Sequence, residues 1–193
     1  MHEIRTVAVF CGSFAGHDPS FRIAAAALGQ GLARAGIKLV YGGGRIGLMG
    51  ALAESVLAAG GEVIGVIPDF LMRREVANDS VTDLVVTDSM HSRKRRMFEL
   101  ADAFVSFPGG LGTLDETFEI LTWRQLGLHN KPILVCDIAG SAAPLLAAIE
   151  STIERGFARP EVRALYEVAP GVESLLERLR SVAPAEGGAA ALL

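Results

Sequence analysis

The chain has 193 residues, of which 50% are hydrophobic and 21% charged, which is enough apolar material for a packed core and excludes a disordered chain. Its 18 basic residues stand against 22 acidic ones, and the formal charge of -4 provides no general attraction for nucleic acid or anionic lipid. No apolar run reaches the roughly 18 residues of a membrane span and no signal-peptide pattern is present, so we expect a cytoplasmic protein without membrane or nucleic-acid partners.

Short apolar runs alternate along the chain with segments of helical periodicity. The predicted strands, in chain order, are Ile4 to Phe10, Ile37 to Tyr41, Glu62 to Ile67, Asp83 to Thr87, Ala103 to Phe107, Pro132 to Cys136 and Leu165 to Val168. The predicted helices are Ser20 to Ala35, Gly47 to Ala59, Ser89 to Leu100, Thr113 to Leu126, Ala142 to Arg155 and Val172 to Arg180. This pattern predicts an α/β, Rossmann-like, doubly wound fold with a mainly parallel sheet of about seven strands. We expect one domain over residues 1–182 and a flexible tail over 183–193.

Three glycine-rich turns follow predicted strands at the points where helices begin. They are Cys11-Gly12-Ser13-Phe14-Ala15-Gly16, Tyr41-Gly42-Gly43-Gly44-Arg45-Ile46-Gly47 and Phe107-Pro108-Gly109-Gly110-Leu111-Gly112-Thr113. In a doubly wound sheet such turns lie at the carboxyl edge of the strands, where these folds bind their ligands. Backbone N–H groups at a helix N-terminus favour an anion. The turns therefore predict a nucleotide-binding domain with a phosphate-bearing ligand.

The second of these turns has an alternative interpretation. Gly42, Gly44 and Gly47 match the dinucleotide pattern G-x-G-x-x-G, and Asp69 could bind a ribose hydroxyl. However, the turn follows the second strand and Asp69 comes after a proline in a loop. A tight turn that lets a helix pack closely and a wall of a mononucleotide pocket both remain open, and we rank an NAD-type site behind them.

A run of four cations, Arg-Lys-Arg-Arg, lies in the predicted helix that starts at Ser89. At 100° per residue, Arg93 and Lys94 lie about 60° and 40° on either side of the apolar line through Met90. Two cations therefore point toward the sheet, where a cation needs an anion beside it. That anion is either a bound ligand or an internal carboxylate, Glu116 or Glu119.

The third glycine turn leads into Thr113-Leu114-Asp115-Glu116. The spacing of Thr113 and Glu116 fits the capping box S/T-x-x-D/E, in which Glu116 would cap its own helix. The same carboxylate, at the opening of a ligand pocket, could instead be catalytic, and the spacing leaves both interpretations open. Asp115 is interpreted as a partner of the helix dipole in the first turn.

The remaining reactive residues indicate no further site. His17, His91 and His129 lack the spacing of metal ligands, so we expect neither a metal nor a cofactor. Cys11 ends a strand without an identifiable base and is interpreted as a buried thiol. No lysine stands in a context typical of pyridoxal phosphate enzymes.

The segment Met90-His91-Ser92-Arg93-Lys94, followed by Pro108-Gly109-Gly110-Leu111-Gly112-Thr113-Leu114-Asp115-Glu116, strongly resembles the LOG (Lonely Guy) family. Members of this family are cytokinin riboside 5'-monophosphate phosphoribohydrolases, often mislabelled lysine decarboxylases, and the likeness covers most of the chain. The resemblance implies that Arg93 and Glu116 are the catalytic pair. It implies substrate binding by Gly43, Gly44, Glu75, Lys94, Gly109, Gly110, Leu111, Gly112, Thr113 and Thr122. It also implies a homodimer whose pocket lies at the interface.

By this resemblance we expect hydrolysis of nucleoside 5'-monophosphates to a free base and ribose 5-phosphate. The base would be an N6-isoprenoid adenine or adenine itself. A non-catalytic nucleotide or molybdenum-cofactor carrier with the same fold is the main alternative, and an NAD-type oxidoreductase ranks last.

Overall fold

The computed structural model describes residues 4–72 and 77–182, and the strands of these residues form a single parallel sheet. The strands are β1 (Thr6–Phe10), β2 (Lys38–Tyr41), β3 (Val63–Pro68), β4 (Asp83–Thr87), β5 (Ala103–Ser106), β6 (Ile133–Cys136) and β7 (Glu167–Ala169). Their order across the sheet is β4-β3-β2-β1-β5-β6-β7. The predicted α/β, doubly wound class is confirmed.

The helices lie where the periodicity places them, with small differences at their ends. They are α1 (Pro19–Arg34), α2 (Gly47–Ala58), α3 (Asp69–Met72), α4 (Met90–Leu100), α5 (Leu111–Gln125), α6 (Ala143–Glu154) and α7 (Val172–Ser181). Two short elements were not predicted from the sequence, α3 and a 3-10 helix over Pro160–Leu165. Leu165 was predicted to begin the last strand and ends this 3-10 helix instead, because Pro160 is well suited to start a short helical turn.

Alternating side chains of the strands pack into two apolar layers, one on each face of the sheet. On β1, Val7 and Val9 face the layer that α1, α2 and α7 cover. Ala8 and Phe10 face the opposite layer, which α4, α5 and α6 cover. Both faces are buried, as expected for strands that are almost continuously apolar. No helix among the described residues is long and apolar enough to cross a membrane.

The strand order reverses beside β1, and this positions the ligand site. The chain runs outward from β1 through β2 and β3 to β4, then returns to place β5 on the other side of β1. The turns that follow β1 and β5 therefore meet, and the backbone N–H of Gly12 donates to the carbonyl of Pro108 at 3.0 Å. Sheets of this class form a crevice at such a switch point.

The packing between α1 and the core yields a stability prediction. Leu28 is completely buried in the layer beneath α1 and α2, whereas Ile23 on the same helix is 69% exposed. We expect Leu28→Ala to lower the free energy of unfolding by about 2 to 5 kcal/mol, because it leaves a cavity. Ile23→Ala, the matched control, should change it by about 0.5 kcal/mol or less. Urea unfolding followed by circular dichroism measures both, and equal losses would contradict this packing.

Candidate active site

A cavity of about 520 Å³ opens at the switch point of the sheet. Its walls come from the turns after β1, β2 and β5, from the start of α2, from Arg93 on α4 and from Ser141 after β6. The three glycine turns picked out in the sequence thus meet at one site. The cavity has the size of ordinary small-molecule sites.

The N-terminus of α5 forms one wall of this cavity. Gly110 is its N-cap and contributes no side chain, so the first N–H groups of the helix have no acceptor within it. Gly109 lies against its neighbours so closely that a Cβ there would stand 2.1 Å from Thr113 Oγ1 and 2.8 Å from the backbone nitrogen of Gly12. The unpaired donors and the positive end of the helix dipole favour an anion such as a phosphate.

The capping-box interpretation of Glu116 is wrong. The helix begins at Leu111, two residues before its predicted start, so Thr113 is the third helical residue and Glu116 the sixth. No side chain caps this helix. Asp115 also lies beyond the first turn and pairs with Lys94, so its assignment to the helix dipole is wrong as well. Glu116 instead lines the cavity.

Local hydrogen bonds determine where α4 begins. Ser89 is the N-cap, and its hydroxyl accepts from the backbone N–H of Ser92 at 3.1 Å. The hydroxyl of Ser92 accepts in return from the N–H of Ser89, also at 3.1 Å, which completes a capping box. With this start, Arg93 falls on the inner face of the helix and is buried.

Arg93 is held by two backbone carbonyls and one carboxylate. Its Nε donates to the carbonyl of Val66 on β3 at 3.1 Å, and its Nη2 donates to the carbonyl of Gly42 after β2 at 3.4 Å. Its Nη1 lies 3.5 Å from Oε1 of Glu116, and each of these two side chains is only 10% exposed. The inward cation predicted from the helical periodicity thus meets one of the two carboxylates that the sequence offered.

The pKa of Glu116 lies near neutrality. Burial raises it to about 7, and the positive charge of Arg93 opposes the rise only in part. The titratable groups around this carboxyl come from the turn after β1, from α4 and from α5; they are Cys11, Arg93, Lys94, Asp115 and Glu119. A carboxyl that titrates near neutral pH can exchange a proton during a reaction, which general acid or base catalysis requires.

Lys94 makes its contacts outside the cavity lining. Its Nζ lies 3.2 Å from Asp115 Oδ2 and 3.1 Å from Glu119 Oε1. The described residues that line the cavity do not include it. The internal ion pair, which the sequence analysis kept open, thus describes the contacts of Lys94 within this chain. Its role in substrate binding stays a prediction.

Of the other residues predicted to bind substrate, some line the cavity and others do not. Gly109 to Thr113 line the cavity. Among the described residues, Gly43, Gly44 and Thr122 are not part of its lining, and the Thr122 hydroxyl donates to the carbonyl of Phe118 at 2.7 Å. Glu75 lies outside the described residues, as does the predicted tail over 183–193. The roles assigned to these residues and the division into domain and tail stay predictions.

Met49 and Ser141 line the cavity and were not singled out from the sequence. Ser13, Phe14 and Gly42 also line it; they lie in the glycine turns that predict the ligand site, but they are not among the residues expected to bind substrate. Gly42 stands beside two glycines that were chosen, and nothing in the spacing shows which of the three faces the ligand. Ser141 follows β6 at the same edge of the sheet, so the edge rule could have found it, but its turn carries no glycine cluster or anion motif.

The structure agrees with the interpretation of Cys11 as a buried thiol. Cys11 is buried, and burial raises the pKa of its thiol far above the ordinary value. The buried ring of His129 places Nε2 2.9 Å from the carbonyl of Ile120. Within residues 4–72 and 77–182, no group of three His, Cys, Asp or Glu side chains could hold a metal ion.

The fold and the site together define a class of protein. A doubly wound α/β sheet has a cavity at its switch point, in which a helix N-terminus suited to an anion adjoins a buried arginine–glutamate pair. This combination is typical of a Rossmann-like protein that binds a small anionic ligand.

Comparisons with known proteins identify the family. A family model described as "Possible lysine decarboxylase" matches residues 49–179. A rice protein named as a probable cytokinin riboside 5'-monophosphate phosphoribohydrolase is 45% identical over 182 residues, or 94% of this chain and 80% of that protein. A protein of Arabidopsis thaliana named as a cytokinin riboside 5'-monophosphate phosphoribohydrolase is 42% identical over 94% of this chain and 85% of its own length. The chain therefore belongs to the LOG family, as the resemblance implied.

Solved structures share the fold at lower identity. The molybdenum cofactor carrier protein of Chlamydomonas reinhardtii superimposes with a TM-score of 0.69 at 21% identity, covering 91% of this chain and 95% of that one. The molybdenum cofactor binding protein of Rippkaea orientalis gives a TM-score of 0.68 at 23% identity, over 92% and 95% of the two chains. These likenesses support the α/β architecture.

The raised pKa of Glu116 leads to a prediction about stability and pH. The folded protein holds this proton up to about pH 7, whereas the unfolded chain releases it near the ordinary value of 4.5. Between these values the folded state binds more protons, so the free energy of unfolding loses a contribution as pH rises. Relative to wild type, Glu116→Gln should therefore gain stability as pH rises from 4.5 to about 7.

Urea unfolding of both proteins across this pH window measures the effect. Glu99→Gln is the control, because Glu99 lies at the surface of α4 and pairs with Arg95 at 3.0 Å. The loss of a partner for Arg93 in Glu116→Gln shifts its whole curve by a constant amount and leaves the slope informative. Curves for wild type and Glu116→Gln that run parallel would contradict the raised pKa.

Proposed function

We propose that this chain hydrolyses the N-glycosidic bond of cytokinin riboside 5'-monophosphates, and of AMP, to release the free base and ribose 5-phosphate. The names of its relatives support the first of these substrate classes. The observation that carries the proposal is the position of Glu116, whose buried carboxyl lines the same cavity as the N-terminus of α5. Along the helix, Glu116 lies about 8 Å from the first residue, a span that one ribose 5-phosphate can bridge.

The chemistry follows from this arrangement. The phosphate binds the N–H groups between Gly109 and Thr113, which fixes the ribose against Glu116. The bond between C1' and the base nitrogen breaks with its electron pair going to the base, and positive charge develops on the sugar. The Glu116 carboxylate stabilises this charge and accepts a proton from the water that adds to C1'. The departing base takes a proton from solvent, and Glu116 returns its proton to solvent, so that the net reaction consumes one water.

In this scheme Arg93 interacts with the Glu116 carboxylate, and the phosphate binds at the N-terminus of α5 instead of at Arg93. Two of its guanidinium nitrogens are engaged by the carbonyls of Val66 and Gly42, and the third faces Glu116. A guanidinium held in this way keeps its charge beside the carboxylate and favours the ionised form. We therefore assign phosphate binding to the glycine turn and control of Glu116 to Arg93, a division that the sequence left open.

A pyridoxal-dependent lysine decarboxylase is not supported by the positions of the lysines. Such an enzyme needs a lysine amine in its pocket to form a Schiff base. The three lysines of the sequence all lie in the described part of the chain, and none of them lines the cavity. Lys38 pairs with Glu62, Lys94 with Asp115, and Lys131 lies over the ring of Phe98.

The two remaining alternatives have weaker support. Likeness to the molybdenum cofactor carrier proteins is below 25% identity and extends to the fold alone.

For an NAD-type site, the turn after β2 would have to bind the pyrophosphate. Its Gly47 has a φ of +63°, and a Cβ there would stand 2.3 Å from the carbonyl oxygen of Ser13. This glycine thus permits close packing of two turns, one of the alternatives considered for the motif.

We also propose that the protein is a homodimer whose pocket lies at the interface and that it acts in the cytoplasm. Leu111 and Phe118 on α5 and Leu126 just after it are exposed apolar side chains, with exposures of 86%, 38% and 68%. Leu111 also lines the cavity, so a second copy packed against this side chain would help to close the site. Two buried, unbonded cysteines support a reducing compartment.

An assay with three substrates tests the proposed reaction. Purified protein is incubated with isopentenyladenosine monophosphate, AMP or adenosine, and the free base and sugar product are followed by chromatography. We expect base release from both monophosphates. Adenosine should react far more slowly, because it lacks the group that α5 would hold. The ratio of kcat/KM for the two nucleotides gives the base preference.

Variants in the same assay test the roles of the residues. Glu116→Gln should lower kcat/KM by at least about 100-fold, because the amide can neither accept a proton nor stabilise the cationic sugar as well. Glu99→Gln, the control at the surface of α4, should keep wild-type activity. Normal turnover by Glu116→Gln would contradict the assignment. Nucleotide binding by wild type without cleavage would favour the carrier alternative.

A further inference from the structure

The guanidinium of Arg93 occupies space that a side chain at position 42 would fill. A Cβ built on Gly42 would stand 2.2 Å from Arg93 Nη2 and 3.0 Å from Met49 Sδ. The same Nη2 donates to the Gly42 carbonyl at 3.4 Å, so the guanidinium lies directly against this residue. Heavy atoms in contact do not approach to 2.2 Å, so arginine and a larger residue 42 cannot both keep these positions.

The backbone itself does not require glycine at this position. Gly43 and Gly47 in the same turn have φ values of +77° and +63°, in the left-handed region that favours glycine. Gly42 is not among the described residues with positive φ. The steric demand at position 42 therefore comes from its neighbours, and the nearest of them is the arginine.

We propose that Gly42 is a positioning residue. Because it has no side chain, the Arg93 guanidinium can lie against the turn after β2, in the position where the guanidinium faces Glu116. The inference rests on the proposed function, in which Arg93 controls the Glu116 carboxylate. The guanidinium donates to two backbone carbonyls, that of Val66 within β3 and that of Gly42 after β2. At Gly42, a Cβ on the residue that provides the carbonyl would itself clash with the guanidinium.

An alanine at position 42 should displace the arginine and leave the fold intact. The clash at 2.2 Å is with the far end of a flexible side chain, which can move, and not with backbone. The displaced guanidinium loses the Gly42 carbonyl and its place 3.5 Å from Glu116. The buried carboxyl then lacks its counter-charge and holds its proton to higher pH.

A matched control exists elsewhere in the chain. A Cβ on Gly31 of α1 would stand 2.2 Å from Leu176 Cδ1, also at the end of a flexible side chain. Gly31 lies on the side of α1 that faces Leu176 of α7, and it is not among the described residues that line the cavity. Gly31→Ala therefore introduces the same steric conflict without touching Arg93 or Glu116.

The experiment compares kcat and KM for isopentenyladenosine monophosphate in wild type, Gly42→Ala, Gly31→Ala, Arg93→Ala and the double variant Gly42→Ala/Arg93→Ala. We expect Gly42→Ala to lower kcat by about 10- to 100-fold with little change in KM, because it misplaces a group that acts on the carboxylate. Its acid limb of kcat against pH should move to higher pH. Gly31→Ala should keep both values, and Gly42→Ala should cost nothing further once Arg93 is already alanine.

Three results would overturn the proposal. They are near-normal kcat in Gly42→Ala, a loss that is fully additive with Arg93→Ala, and an equal loss in Gly31→Ala. If Gly42→Ala is unstable, the double variant should recover its thermal midpoint, because the clashing guanidinium is gone.

Failure of the proposed function would show separately, as a wild-type protein that releases no base. In that case the pKa of Glu116, followed by carbon-13 NMR, still tests the positioning. It should rise in Gly42→Ala and stay unchanged in Gly31→Ala, and an unchanged value in both would refute the proposal.

Discussion

The buried contact between Arg93 and Glu116 is the interaction on which the site depends. Two charged groups taken out of water carry a large desolvation cost, which their mutual attraction offsets only with good geometry and further hydrogen bonds. Arg93 has such bonds, to the carbonyls of Val66 and Gly42. Glu116 is less well compensated, and burial raises its pKa to about 7 despite the cation beside it. The cavity therefore contains a carboxylate that an added positive charge would stabilise.

This shortage of compensating charge suits the proposed reaction. Cleavage of an N-glycosidic bond generates a cationic sugar, which is present in the transition state and absent from the bound nucleotide. A carboxylate that attracts this charge lowers the barrier without tightening the ground state to the same extent. The phosphate would bind at the N-terminus of α5, where backbone N–H groups attract it. None of the described residues that line the cavity is a lysine.

The fold could be predicted from the sequence because its strands are short apolar runs between helices of clear periodicity. Positions that depend on a few local contacts were harder. The start of α5 was placed at Thr113 on a capping pattern, whereas Gly110 caps the helix without a side chain. The brief α3 offers too few residues for a periodic signal.

For the site, helical periodicity predicted that Arg93 points inward, toward either a bound ligand or one of two carboxylates. It could not choose between them, because that choice depends on the angle at which α4 and α5 pack. Lys94, adjacent in sequence, meets Asp115 and Glu119 instead of the cavity. Nor could spacing show that Gly42, rather than Gly43, touches the guanidinium, because this follows from the twist of the turn after β2.

A crystal structure of Glu116→Gln with bound isopentenyladenosine monophosphate would test the central claim most directly, because the slow variant should retain the intact nucleotide. We predict that the phosphate lies on the N–H groups of Gly110 to Thr113. We also predict that C1', or a water beside it, lies within about 3.5 Å of the side chain at position 116. A phosphate bound to Arg93, with the glycosidic bond remote from position 116, would contradict the roles assigned to both residues.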